Sequence, residues 1–153
     1  MNKMMITGLL LSVFAVGCTS QTHKTVISNQ DSMSQKAINE LKNGVSIYFD
    51  KNSSQVESKY HLYMVAAAQG LAQNKNLMLE LEGHTDNSGS VKTNKRVSLE
   101  RANAVRSKLV MEYNVDPDQV VAIGAGSLKP IDTNSTAEGR ANNRRVTATL
   151  KIR

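Results

Sequence analysis

The chain has 153 residues, room for one domain and a short lead-in but not for two full domains. It is 40% hydrophobic and 21% charged, with no Trp and two Phe, so its core is aliphatic. A formal charge of +6 suits an anionic partner without choosing among cell wall, lipid headgroup and nucleic acid, and a single cysteine excludes an internal disulfide.

In chain order, Lys3 gives a short positive start, and Met4 to Val16 is apolar except for Thr7, Gly8 and Ser12. Thirteen helical residues would rise about 20 Å, too short for a hydrocarbon core of about 30 Å, so the run reads as a signal-peptide segment. It closes with Ala15-Val16-Gly17-Cys18, which resembles the lipobox of bacterial lipoproteins. The resemblance implies that residues 1–17 are a signal peptide and that Cys18 is acylated as the mature N-terminus. It also implies outer-membrane sorting, because Thr19 rather than Asp follows. Removing residues 1–17 takes away one Lys and no acid, which leaves +5.

Residues 19–32 are rich in Ser, Thr, Gln and Asn and bury too little to offset their ordering entropy. With Cys18 they are expected to form a tether over residues 18–43. A short helix at its end would carry Met33, Ala37, Ile38 and Leu41 on one face.

From residue 44 a folded domain is expected to run to 153. Val45, Ile47 and Phe49 alternate with polar neighbours and predict a strand. Val56, Tyr60, Tyr63, Met64, Ala67 and Leu71 predict a helix, and Leu77, Leu79 and Leu81 a second strand ending at Gly83. After a loop over residues 84–91, a second helix has Leu99, Ala102, Val105, Leu109 and Tyr113 as its buried stripe, and Pro117 ends it. Val120–Ile123 is a third strand, and Val146, Ala148, Leu150 and Ile152 alternate in a last one with one wet face. The order β-α-β-α-β-β, with a loop or short helix before the last strand, gives an α/β (α+β) sandwich, one mixed sheet with helices on one face.

The densest polar cluster is Gly83-His84-Thr85-Asp86-Asn87-Ser88-Gly89. On its residues alone, Asp86 is equally well explained as a turn or helix cap. Asn94 and Arg101, seven apart, share a helix face within about 20°, with Arg101 at the border of the apolar stripe. A border Arg is commonly a structural ion pair; here it also stands where it could meet a ligand carboxylate while Asp86 meets an ammonium.

The same residues carry a family resemblance. The segment Gly83–Gly89, then Asn94, Ser98, Arg101-Ala102 and Val105, resembles the signature of OmpA C-terminal-like domains, the family that includes peptidoglycan-associated lipoproteins. The likeness begins at Tyr48-Phe49-Asp50-Lys51-Asn52 and continues through Gly124-Ala125-Gly126, Pro130 and Glu138 to Val146. It implies binding of the meso-diaminopimelate residue of peptidoglycan stems. Asp86 would take the side-chain ammonium and Arg101 the carboxylate. Asn52, Thr85, Asn94 and Arg144 would complete the pocket, with the Asn87 backbone near the ligand. No cofactor or metal is implied. The expected partners are peptidoglycan, the outer membrane through the lipid, and other envelope proteins, with the domain facing the periplasm; nucleic acid is not expected. The alternative is an envelope adaptor that uses the wall-binding domain to anchor a secretion or motility machine.

Catalysis has little support. The histidines are His23, His61 and His84, with no HExxH, no CxxC and no nucleophile motif. The clusters Arg140, Arg144, Arg145 and Lys92, Lys95, Arg96 lack the stacking aromatics of nucleic-acid readers.

Overall fold

The computed structural model describes residues 20–153, with side chains from Ser32 onward. The expected signal peptide over 1–17 and the acylated Cys18 lie outside the described residues. In chain order the elements are helix α1 (Ser20–Asn43), strand β1 (Val45–Tyr48), helix α2 (His61–Gln73), strand β2 (Leu77–His84), helix α3 (Val91–Tyr113), strand β3 (Val120–Gly126), helix α4 (Ala137–Asn143) and strand β4 (Arg145–Ile152). Single turns of 3₁₀ helix at Ser58–Tyr60 and Pro117–Gln119 lead into α2 and β3.

The sheet order is β1-β4-β2-β3. The last strand therefore lies inside the sheet, antiparallel to β1 and to β2, while β2 and β3 are parallel. A parallel pair needs a crossover over one face, which α3 supplies between β2 and β3. Val45, Ile47, Leu79, Leu81, Val146, Ala148 and Leu150 point inward and meet Met64, Ala67, Leu71, Ala102, Val105 and Leu109 from the helices. Across the sheet, Glu80 bonds Lys151 at 2.6 Å on the outer face, the wet side expected of an alternating strand. The fold class and the single-faced helix layer follow the expectation.

Two expectations need correction. Residues 20–43 are one helix of 24 residues rather than a tether with a short terminal helix. Ala37 and Leu41 enter the core at 2% and 1% exposure, and Tyr63 Oη donates to Glu40 Oε2 at 2.6 Å, so the domain begins before residue 44. Packing of the apolar stripe on α2, rather than the polar composition, decides the state of this segment.

The buried stripe of α3 is also different. Leu99 is 39% exposed, and the first turns of α3 bury Asn94, Ser98 and Arg101 instead. The cause is close approach of α3 to the sheet at two glycines. A Cβ on Gly83 would lie 1.9 Å from the Ser98 carbonyl oxygen, and one on Gly124 would lie 2.7 Å from Ser98 Oγ. With Ser98 facing the strands, Leu99 is turned about 100° away.

Leu41→Ala should lower unfolding stability by about 2–5 kcal/mol, because it opens a cavity under α1. Urea titration checks this; an unchanged midpoint would mean that α1 is not part of the folded unit.

Candidate functional site

β1 and β2 run parallel, with β4 antiparallel between them, so the C-terminal ends of β1 and β2 and the start of β4 meet at one edge of the molecule. The loops leaving β1 and β2, the first half of α3, and Arg144 enclose a cleft there of about 340 Å³. Asn52, Thr85, Asp86, Asn94, Arg101 and Arg144 all line it.

Arg101 forms the floor. It is 2% exposed, and its Nε donates to the Ser53 carbonyl at 3.0 Å, Nη2 to Asp50 O at 3.2 Å and Nη1 to His84 O at 3.4 Å. Its guanidinium carbon lies 5.5 Å from the centre of the Phe49 ring. A guanidinium has five N–H groups, so one on each Nη is left for a ligand. Burial and then the Arg144 charge lower the pKa of Arg101, while Asp86 raises it. The group stays cationic in either balance.

Asp86 follows β2. Its Oδ1 accepts the Ser88 backbone N–H at 2.9 Å and its Oδ2 accepts from Arg144 Nη1 at 3.0 Å. Burial pushes its carboxyl upward, but the bonds from Ser88 and the Arg144 guanidinium outweigh it, so the group ionises below the usual carboxylate range. Arg144 is also held by Nε to the Phe49 carbonyl at 3.3 Å. The cleft thus presents an anion braced by one guanidinium and a second guanidinium with free donors, an arrangement that suits a zwitterion.

The other residues complete the walls. Asn52 sits at φ +59°, left-handed backbone that Asn tolerates. Asn94 is buried, with Nδ2 3.5 Å from Ser127 Oγ. Thr85 donates its backbone N–H to Gly126 O at 3.0 Å, and its Oγ1 is buried without a hydrogen-bond partner among the described residues. Asn87 is the exception: its N–H donates to Asn134 Oδ1 at 3.2 Å, and it does not line the cleft.

Several contributors escaped the sequence reading. The carbonyls of Asp50 and Ser53 hold Arg101, and no side-chain pattern marks a carbonyl. Asn143, fully buried, accepts from Ile131 N at 2.9 Å and Asp132 N at 3.2 Å and donates to Asn134 Oδ1 at 3.1 Å. It therefore fixes the loop that bonds Asn87; its only signal was its place in the Glu138–Val146 segment.

His84 does not join the cleft. Its ring is 2% exposed, Nε2 lies 3.9 Å from Glu82 Oε2, and Nδ1 has no partner among the described residues. Burial first, then the Arg145 charge, lower its pKa from 6.5 to about 4. Among the described residues no group of three or more His, Cys, Asp or Glu side chains could hold a metal.

The family model described as "OmpA family" matches residues 48–144. The curated relative outer membrane protein Omp38 of Acinetobacter baumannii is 42% identical over 116 residues, covering 76% of this chain and 33% of Omp38. The chain thus spans about a third of the length of that relative. The crystal structure of the peptidoglycan-associated lipoprotein from Burkholderia pseudomallei is similar at 29% identity and a TM-score of 0.66, over 69% of this chain and 89% of that one. The C-terminal domain of Helicobacter pylori MotB is similar at 25% identity and a TM-score of 0.61, over 71% and 85%.

Because the unfolded His84 binds its proton near pH 6.5 and the folded one near 4, stability should fall as pH drops through that window. The loss between pH 7.5 and 5 is about 2 kcal/mol for this residue. Urea midpoints at the two pH values should converge in His84→Gln; an equal loss in that variant would assign it to other groups.

Proposed function

The chain belongs to the OmpA family, and from that membership we propose that its cleft binds the meso-diaminopimelate peptide stem of peptidoglycan. The observation that carries this reading is the pairing of Asp86 and Arg101 in one cleft, an arrangement that can grip both ends of a single amino-acid head together. Asp86 takes the side-chain ammonium, joining Arg144 and Ser88 around the carboxylate. The two Nη hydrogens that Arg101 keeps free take the carboxylate. Arg serves here where Lys would not, since its planar fork holds a carboxylate bidentately. Thr85 Oγ1, buried and unpaired, supplies a further polar contact, as do Asn52 and Asn94. Charge-assisted bonds of about 1.5–3 kcal/mol each suffice for modest affinity.

The protein acts as a binding module rather than an enzyme. With Cys18 acylated, it is an outer-membrane lipoprotein that links that membrane to the wall from the periplasmic side. The likeness to the Burkholderia lipoprotein supports this, and among the described residues no helix is long and apolar enough to cross a membrane. Anchoring raises the local concentration of wall ligand, so a weak single site holds well. Helix α1 begins two residues after Cys18, and the part of it before Ala37, where it joins the core, rises about 25 Å and holds the domain off the lipid.

The MotB domain is nearly as similar as the lipoprotein, and this favours a second reading: an adaptor that uses the same cleft to anchor an envelope machine through protein contacts.

Isolated sacculi with diaminopimelate stems should retain the full chain in detergent, and sacculi with lysine stems, which lack the far carboxylate, should not. Asp86→Asn is the cleaner variant, because Arg101 also ties down the β1 loop; it should lose most retention while circular dichroism is unchanged. Full retention of Asp86→Asn, or equal retention on both walls, would overturn the assignment. For the anchor, Cys18→Ser should move the protein from the membrane fraction to the soluble periplasm; continued membrane fractionation would count against acylation.

A further inference from the structure

The cleft does not end at Arg101. A second hollow of about 400 Å³ continues along α3, meets the cleft at Ser54, and is lined by Val56, Ala104, Ser107, Lys108 and Met111. On a helix turning 100° per residue, Thr93, Val97, Glu100, Ala104, Ser107 and Met111 fall within about 80° of one another, so one face of α3 floors both hollows. The opposite wall is the extended segment after β1, and it is not free to drift: the Arg101 Nε bond to Ser53 O pins it to α3. The guanidinium that floors the cleft therefore also sets the width of the groove.

We propose that this groove binds the arm of the same peptide that precedes diaminopimelate, a short extended chain with small side chains, so that the domain reads several residues of a stem and not one amino-acid head. This rests on the peptide-stem reading of the cleft. The length is sufficient: Arg101 to Met111 rises about 15 Å, more than the roughly 9 Å that the two extended residues ahead of diaminopimelate need. The side chains suit it as well. Ala104 and Ser107 leave room where longer residues would fill the floor, and Met111, at 80% the most exposed of the large apolar side chains described, offers thioether surface for a methyl group. Lys108, paired with Glu112 at 2.7 Å, stands beside the path as a partner for a backbone or terminal carboxylate.

Calorimetric titration of the full chain in detergent tests this with two probes, free meso-diaminopimelate and the tetrapeptide alanyl-γ-glutamyl-diaminopimelyl-alanine. The wild type should bind the tetrapeptide about tenfold more tightly than the free amino acid. Ser107→Trp, an exposed position, should abolish that gain by filling the groove and leave diaminopimelate binding unchanged; Ala104→Gln should do the same should the Trp variant misfold. Equal affinity of the wild type for both probes, or a gain that survives both substitutions, would overturn the groove while leaving the cleft intact. No binding of either probe would overturn the cleft reading itself.

Discussion

The buried guanidinium of Arg101 is the constraint on which the site depends. A cation at 2% exposure is tolerable only if most of its donors are satisfied, and here two carbonyls of the loop after β1 and one at the end of β2 take three of its five N–H groups. That requirement runs in both directions. The loops after β1 and β2 are held because they solvate the charge, and the charge is held because the loops fold over it. The Phe49 ring, 5.5 Å from the guanidinium carbon, adds a cation–π contact. What remains of the hydrogen-bonding capacity faces the cleft.

The second charge is placed by topology. Since β4 runs antiparallel between β1 and β2, its beginning lies at the same edge as their ends, and Arg144 enters the cleft just before β4 starts. There it meets Asp86 at 3.0 Å. A carboxylate with one strong cationic partner and one backbone N–H stays ionised while keeping lone pairs for a ligand. Placing the strand in the middle of the sheet thus does for Asp86 what the loops do for Arg101: it supplies a fixed neighbour that keeps the group charged without consuming it. Ligand sites at the carboxyl ends of parallel strands are common in α/β sheets for this reason, since loops there can vary while the strands stay rigid.

Close packing of α3 on the sheet is the third element. Gly83 and Gly124 let the Ser98 turn approach within backbone contact, and Ser98 Oγ accepts the Gly126 N–H at 2.9 Å. The helix therefore turns polar residues inward over its first half and apolar ones over its second. The first half belongs to the site and the second, with Val105 and Leu109, to the core that α1 and α2 complete.

The sequence by itself determined the order of the four strands and the two helices between the first three of them, the single-faced helix layer and the candidate pair Asp86 and Arg101, because these depend on local periodicity and on residues within one motif. Asn94 shared a helix face with Arg101 and Thr85 stood in the polar cluster, but Asn52 and Arg144 were legible only through the wider motif, since nothing in their own spacing brings residue 52 near 144. Tertiary structure alone decided four things. It put the last strand between the first two, because strand order is a matter of which edges pair and leaves no period in the chain. It made Ser20–Asn43 a helix, because burial of Ala37 and Leu41 against α2 outweighs a polar composition. It exposed Leu99 and buried Ser98, because two glycines on other strands allow the backbone to approach. And it gave the Asn87 amide to Asn134, because a buried Asn143 holds the facing loop in place.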